Sequence, residues 1–116
     1  MEELVRAVLR FRDEREWRQF HNPKDLAISI TLEAAELLEQ FQWKRPDEVE
    51  ALLADAASRR LVGEEMADVL ILLISLADAA GIDLVAAAEA KLAENARKYP
   101  VNRARGSAKK YDQLPE

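Results

Sequence analysis

The sequence predicts an all-α protein, a bundle of four to five helices. Apolar residues recur at helical spacing along most of the chain, β-strand patterns are nearly absent, and only four prolines and three glycines interrupt it. Its 116 residues correspond to one domain of ordinary size. With 49% hydrophobic and 34% charged residues, the composition is that of a globular protein, neither disordered nor membrane-spanning.

The first helix is expected over residues 2–19. Leu4, Val8 and Phe11 recur at helical spacing, and the aliphatic stem of Arg15 continues the same face. We therefore expect these side chains to lie along one face of the helix.

The second helix is expected from Pro23 to about Trp43. Asn22 is a good capping residue, Pro23 suits the first helical position, and Asp25 lies near the positive end of the helix dipole. Pro46 prevents the helix from continuing further.

Three more helices follow. A short one is expected over residues 46–54, and a long one from about residue 59 to residue 80, with Gly81 as its C-terminal cap. The next begins after the capping residue Asp83 and ends near Tyr99.

This pattern predicts a helical domain over residues 1–100 and a basic, extended tail over residues 101–116. Residues 69–77 are apolar around the whole helix apart from Ser75, and such a helix is normally buried on every side. Four helices can hardly cover it, so we expect self-association. The run is too short to span a bilayer, so no membrane contact is expected.

Composition excludes several kinds of site. There is no cysteine and the one histidine is His21, which excludes disulfides, thiolate metal sites and His-rich zinc sites. The net charge of −5 disfavours stable binding of nucleic acid. The amphipathic start at Met1 shows no secretory leader pattern, so a cytoplasmic protein is expected.

Two acidic pairs stand out. Glu33 and Glu36 lie three residues apart on the second helix, and Glu65 and Asp68 have the same spacing on the third long stretch, so each pair shares a helix face. Apolar residues border both pairs, which predicts that they face a cleft. Two carboxylates ~5.5 Å apart repel by about 3 kcal/mol at an effective dielectric constant near 20.

A divalent cation would offset this repulsion. Residues 26–43 contain no lysine or arginine, and oxygen ligands suit hard cations, of which Mg²⁺ fits best because it also binds substrate phosphates. Spacing alone leaves two interpretations open, a metal site and the solvated faces of two amphipathic helices.

Two further groups of residues suggest a nucleotide. Trp17, Phe20, His21 and Trp43 could stack on and hydrogen-bond a nucleobase, or form a small aromatic core. Separately, three side chains recur on one face of the last long helix and could bind phosphates, or end the helix in solvent. They are Lys91, Asn95 and Lys98.

Several segments of the chain carry recognisable motifs, an ExxE…ExxD pattern, an FQW motif and an RGSA-x-KY motif. These segments are Glu16–His21, Leu32–Leu37, Phe41–Lys44, Glu64–Leu70, Lys91–Val101 and Ala104–Tyr111. Together they resemble the MazG-like all-α nucleotide pyrophosphohydrolases, in particular their dCTP pyrophosphatase branch, over about residues 10–115.

The resemblance implies a role for each matching residue. The Mg²⁺ ligands, with Mn²⁺ as an alternative metal, would be Glu33, Glu36, Glu65 and Asp68. Beyond the resemblance, we expect one glutamate of this set, or the nearby Glu39, to orient the attacking water, and the sequence does not choose among them. The remaining residues would bind substrate. The base would lie against Trp17, His21 and Trp43, and the phosphates would lie near Lys91, Asn95, Lys98 and Tyr99. The tail that closes over the phosphates would contribute Arg105, Lys109 and Tyr111.

The expected function is therefore Mg²⁺-dependent hydrolysis of a (deoxy)nucleoside triphosphate, dCTP or a modified dCTP, to the monophosphate and pyrophosphate. The family implies a dimer or tetramer, with the tail packed on the site or on a neighbouring subunit. Two alternatives remain open. One is a non-catalytic helical oligomer that binds nucleotide or a partner protein, and the other is a dUTPase or phosphoribosyl-ATP pyrophosphohydrolase of related fold.

Overall fold

The computed structural model describes residues 1–114, which contain six α-helices and no β-strand, so the predicted all-α class is confirmed. Two short 3₁₀ turns, Arg18–Phe20 and Tyr111–Gln113, lie between and after the helices. The helices are α1 (Glu2–Glu14), α2 (Pro23–Glu39), α3 (Pro46–Ala54), α4 (Ala56–Ala80), α5 (Leu84–Lys98) and α6 (Val101–Ala104).

The predicted helix caps are confirmed. The Asn22 side chain accepts the backbone N–H of Asp25 at 2.9 Å, and the Asp83 side chain accepts that of Ala86 at 3.0 Å. Gly81 ends α4 with a left-handed φ of 67°, which a residue without Cβ adopts at little cost.

Helix α4 begins three residues earlier than the predicted residue 59. The reason is a cap at Asp55, whose carboxylate accepts the backbone N–H of Ser58 at 3.0 Å and its hydroxyl at 2.8 Å. Since Asp55 also follows the last residue of α3, the two helices are joined by this single residue.

Helix α1 ends at Glu14, five residues before the predicted end. Glu16 adopts a left-handed φ of 53°, and its N–H bonds the carbonyl of Asp13 at 3.0 Å. The N–H of Trp17 bonds the carbonyl of Arg12 at 3.1 Å. This pair of bonds is a Schellman motif, the common way for a helix to end, formed here without glycine.

Helix α2 also ends earlier than expected, at Glu39 instead of Trp43. The N–H groups of Gln40 and Phe41 bond carbonyls three residues back, at 3.2 and 2.9 Å, which tightens the last turn. Trp43 therefore lies in the following turn.

The described chain divides into two compact units, Met1–Ile82 and a second that begins at Asp83. In the first unit α4 is central and packs mainly on α2, with further contacts to α3 and α1. The buried apolar side chains all belong to this unit, at Val8, Leu26, Val62, Ile74 and Ala77.

The predicted apolar face of α1 is only partly buried. Val8 is buried, but Leu4 and Phe11 are exposed, and the guanidinium of Arg15 lies over the Phe11 ring, 3.7 Å from its centroid. Arg12 is the charged residue that turns inward, with 4% of its surface exposed. The pattern of apolar residues could not predict this, because Arg12 is buried through an ion pair with Asp78 on α4.

The second unit contains α5, α6 and the C-terminal turn. The tail is not simply extended, since α6 and the turn at Tyr111–Gln113 interrupt it. The predicted boundary at residue 100 and the predicted packing of the tail stay predictions, and residues 115 and 116 lie outside the described part. Within residues 1–114, no single helix combines the length and apolar composition needed to cross a membrane.

Candidate functional site

The packing of α2 on α4 brings three of the four predicted metal ligands together. Glu33 and Glu36 lie one turn apart on α2, and Glu65 lies on α4. One carboxylate oxygen from each lies within 4.8 Å of the other two. We refer to these three residues as the acidic cluster.

The acidic cluster contains buried oxygens without partners. Oε2 of Glu33 and Oε2 of Glu65 are shielded from solvent and accept no hydrogen bond, while the Glu36 residue is exposed. Across residues 1–114, no lysine or arginine forms an ion pair with any of the three. Buried polar atoms are normally bonded, so these two oxygens are suited to an added ligand.

Burial and the neighbouring negative charges both raise the pKa values of Glu33 and Glu65. The pKa of Glu33 is raised by burial and then by the neighbouring carboxylates of Glu36, Asp68 and Glu65. The pKa of Glu65 is raised by burial and then by the charges of Glu36 and Asp68. A site that resists negative charge favours a proton or a cation, and an all-oxygen donor set fits a hard divalent ion.

Asp68 and Glu39 lie outside the cluster. Asp68 is exposed on α4, one turn after Glu65, and is near enough to raise the pKa of both buried glutamates. Glu39 is exposed at the end of α2. Their predicted roles as metal ligand and as base stay predictions.

The predicted aromatic group does not form one stack. In the described chain, the ring pairs are Phe11–Trp17, with centroids 5.6 Å apart edge to face, and Tyr99–Tyr111. Trp17 is 43% exposed and Trp43 87% exposed. A core residue has little exposed surface. The exposure of Trp43 therefore disfavours its interpretation as part of a small aromatic core.

His21 has a buried ring atom without a partner. Its Nδ1 is shielded from solvent and makes no hydrogen bond, while its backbone N–H bonds the carbonyl of Arg18 at 3.1 Å. Phe20, beside it, is exposed. The predicted base-binding roles of these residues stay predictions.

In the second unit, a glutamate lies between the two predicted phosphate-binding lysines. Glu94 pairs with Lys98 at 3.0 Å and with Lys91 at 3.5 Å. The hydrogen bond from Lys98 lowers the pKa of Glu94, and the same bond raises the pKa of Lys98. Sequence reasoning missed Glu94, although its spacing of three and four residues from the lysines is a recognisable ion-pair pattern. Asn95, next along α5, is half-buried.

The tail returns to the end of α5 through Tyr111. The ring of Tyr111 packs edge to face on Tyr99, with centroids 6.3 Å apart, and the ammonium of Lys98 lies 4.9 Å from its centroid. Arg105 and Lys109, also predicted to bind substrate, are exposed.

Comparison with known proteins agrees with this architecture. Residues 28–114 match the sequence profile of the MazG-like family. Two curated proteins named dCTP pyrophosphatase 1, from Bos taurus and Homo sapiens, are 40% and 39% identical to this chain over 115 residues. In each case the match covers 99% of this chain and 68% of the relative.

A solved structure is also similar. The crystal structure of a pyrophosphatase from Archaeoglobus fulgidus superposes with a TM-score of 0.75 at 48% identity. The match covers 86% of this chain and 92% of that one. The profile match covers α2 from Ile28 onward and the whole of α4, the two helices that build the acidic cluster. The chain belongs to the MazG-like family.

Proposed function

We propose that this chain hydrolyses dCTP or a closely related deoxynucleoside triphosphate to the monophosphate and pyrophosphate, with Mg²⁺ held by the acidic cluster. The chain is a nucleotide pyrophosphatase; its curated relatives are named dCTP pyrophosphatase 1, and its structural neighbour is named a pyrophosphatase. Substrate preference for dCTP and dependence on Mg²⁺ are the proposed parts.

The observation that carries the proposal is the acidic cluster itself. Three carboxylates from two helices meet within 4.8 Å, and two of their oxygens are buried without a partner. A surface patch of acids would leave these oxygens in water. Donors of this kind fit Mg²⁺, which takes a few carboxylates and completes its coordination with water and phosphate oxygens.

The residues have distinct roles in the proposal. Glu33, Glu36 and Glu65 would hold the metal together with Asp68, which is one turn beyond Glu65. A metal bound there would neutralise charge on the phosphates and make a bound water more acidic. Glu39, or one glutamate of the cluster, would orient that water as general base.

Base and phosphate recognition use the remaining predicted residues. Trp17 and Trp43 are exposed, so a base could stack on their indole rings, and His21, whose Nδ1 has no hydrogen-bond partner, would bond a base edge. Phosphate contacts are assigned to Lys91 and Lys98, with the other residues of the second unit that the sequence indicated. They are Asn95, Tyr99, Arg105, Lys109 and Tyr111.

We also propose self-association into a dimer or tetramer. Large apolar side chains remain exposed on the two central helices, and exposed apolar surface of this kind marks association surfaces. They are Ile28, Leu32, Leu38, Leu61, Met66 and Ile71. Sedimentation over a range of protein concentrations measures the association directly, and a monomer throughout would contradict it.

A nucleotide panel tests the function. Pyrophosphate release is measured for the common nucleoside triphosphates and their deoxy forms, with Mg²⁺, with Mn²⁺ and with excess chelator. We expect the highest kcat/KM for dCTP or a modified dCTP and none with chelator. Preference for dUTP would support a dUTPase instead, and no release from any nucleotide would leave the non-catalytic alternative.

A matched pair of variants tests the cluster. Glu65→Gln removes one metal-binding oxygen and is expected to lower kcat by more than about 100-fold. Glu64→Gln is the control, because it makes the same change one residue earlier, where Glu64 is exposed and paired only with Arg60. Full turnover in Glu65→Gln, with Mg²⁺ bound as in the wild type, would contradict the proposed site.

A further inference from the structure

Arg12 has an unusual environment for an arginine. Only 4% of its surface is exposed, yet it lies on a helix of a small domain. Its Nη1 donates to Oδ2 of Asp78 on α4 at 2.6 Å, and its Nε donates to Oδ1 of Asp13 at 2.8 Å. Asp78 keeps about a third of its side chain exposed, at 33%. Burying a guanidinium is unfavourable unless it is paired in this way.

Arg12 also makes a backbone contact with Trp17. Its carbonyl accepts the Trp17 N–H at 3.1 Å, which is the outer bond of the Schellman motif at the end of α1. The Trp17 ring then packs edge to face on Phe11, the residue before Arg12. The position of Trp17 is thus set by two neighbouring residues on the last turns of α1.

The same arginine connects Trp17 to the helix that carries part of the acidic cluster. Asp78 and Glu65 both lie on α4, thirteen residues and about 20 Å apart along the helix axis. Through Arg12, the turn that holds Trp17 is fixed to α4. Apolar packing of Val8 holds α1 close to the core but is not directional, whereas a charged hydrogen bond fixes orientation.

We propose that Arg12 and Asp78 are positioning residues for substrate selection, which hold Trp17 in place relative to α4 so that it can stack on the nucleobase. This inference rests on the proposed function, since it takes Trp17 as a base-binding residue. Neither Arg12 nor Asp78 contacts the substrate. Their effect is to fix the Trp17 side chain before the nucleotide binds.

The test compares a substrate that has a base with one that lacks it. KM and kcat are measured for the preferred nucleotide and for inorganic triphosphate in Arg12→Met, Asp78→Asn and the double variant. We expect KM for the nucleotide to rise about 2- to 10-fold, the effect of leaving one side chain to be ordered on binding, with kcat nearly unchanged. Kinetic constants for inorganic triphosphate should not change, and the double variant should be no worse than either single one.

Two controls separate positioning from general destabilisation. Arg60→Met breaks the exposed Arg60–Glu64 pair on α4 and should leave KM unchanged. Ile74→Val destabilises α4 at a buried position, 2% exposed, and leaves both partners of the Arg12–Asp78 pair in place. If Arg12→Met does not fold, Asp78→Asn tests the inference instead, because it is a milder change at a partly exposed residue.

A spectroscopic measurement gives a second readout. In a Trp43→Phe background, Trp17 is the only tryptophan, so its fluorescence reports on the end of α1. Arg12→Met should increase acrylamide quenching of Trp17. The inference fails if nucleotide KM and quenching stay at wild-type values, or if KM for inorganic triphosphate rises equally. The proposed function fails separately, if the wild-type protein releases no pyrophosphate from any nucleotide. An unchanged nucleotide KM in Trp17→Ala would overturn the inference alone, because Trp17 would then not bind the base.

Discussion

Glu16 is the one residue other than glycine with a positive φ in the described chain, at 53°. A left-handed conformation brings Cβ close to the following carbonyl oxygen, at a cost of about 1–2 kcal/mol. Here the conformation completes the Schellman motif and turns Trp17 back onto Phe11. An aromatic contact of this kind, between the residue after the turn and the last turns of the helix, commonly accompanies the motif.

Glu16→Gly should therefore stabilise the protein. Glycine adopts the left-handed conformation freely, and we expect the free energy of unfolding to rise by about 0.5–1 kcal/mol. Chemical denaturation measures the change. Glu14→Gly is the matched control, because it makes the same substitution at the last residue of α1 and should destabilise by a similar amount. Lower stability in Glu16→Gly would show that the turn carries no strain.

Residues with a local signal were predictable from the sequence. Asn22, Gly81 and Asp83 have side chains or backbone freedom that act on their own neighbours, and the structure has each of them in its predicted role. The inward position of Arg12 was not predictable, because it depends on Asp78, 66 residues away. The acidic cluster falls between these cases. The spacing places Glu33 and Glu36 on one face, but only the packing of α2 on α4 brings Glu65 to them while Asp68 stays outside the group of three.

Among the helices, α4 is the longest and carries residues of both the acidic cluster and the Arg12 ion pair. It is 25 residues long, forms the centre of the first unit, and carries both Glu65 and the Asp78 partner of Arg12. Its start was predicted too late because the apolar pattern is weak over its first turn, although Asp55 followed by Ser58 is a recognisable cap. Since Asp55 also ends α3, the cap fixes where one helix stops and the other begins.

The cap at Asp55 gives α4 a pH dependence of known sign. The backbone N–H and then the hydroxyl of Ser58 donate to the carboxylate and lower its pKa. A carboxyl group with a lowered pKa in the folded state stabilises the protein at pH values above its unfolded pKa, ~3.9, and loses this effect as the pH falls through the folded pKa. The charged cap is therefore at full strength at neutral pH.

Asp55→Ala should lower the Tm at pH 7, and the Tm difference from the wild type should shrink as the pH is lowered below about 4. Thermal unfolding followed by circular dichroism at a series of pH values measures this. Asp55→Asn is the control, since asparagine also caps helices but does not titrate, so it should remain close to the wild type at neutral pH. A Tm difference for Asp55→Ala that is constant with pH would contradict the assignment.

At the scale of the whole molecule, the acidic cluster lowers the stability of the fold that holds it. Only five apolar side chains are buried in the described chain. The two helices that carry most of the first unit's packing also hold three converging carboxylates. In the absence of metal the cluster destabilises the fold, because burial and mutual repulsion oppose its charge. Functional sites often lower the stability of a protein in this way.

The cluster therefore predicts a link between metal, pH and stability. The pKa values of Glu33 and Glu65 are raised in the folded protein, so the folded state binds more protons than the unfolded state near those pKa values. Stability must then rise as the pH falls toward them, the opposite direction to Asp55. Lowering the pH from about 8 to about 5 should raise the Tm of the metal-free protein while the lowered-pKa acids stay charged.

Saturating Mg²⁺ should raise the Tm at pH 8 and flatten this pH dependence, because a cation that binds only the folded state stabilises it and replaces the protons. Glu65→Gln should raise the metal-free Tm at pH 8, since it removes one like charge, and should abolish the rise caused by Mg²⁺. Glu64→Gln, which changes an exposed residue paired with Arg60, should keep the wild-type response to both pH and metal. A wild-type Tm that is the same with chelator and with Mg²⁺ would mean that the two buried oxygens do not bind the metal, and the proposed site would be wrong.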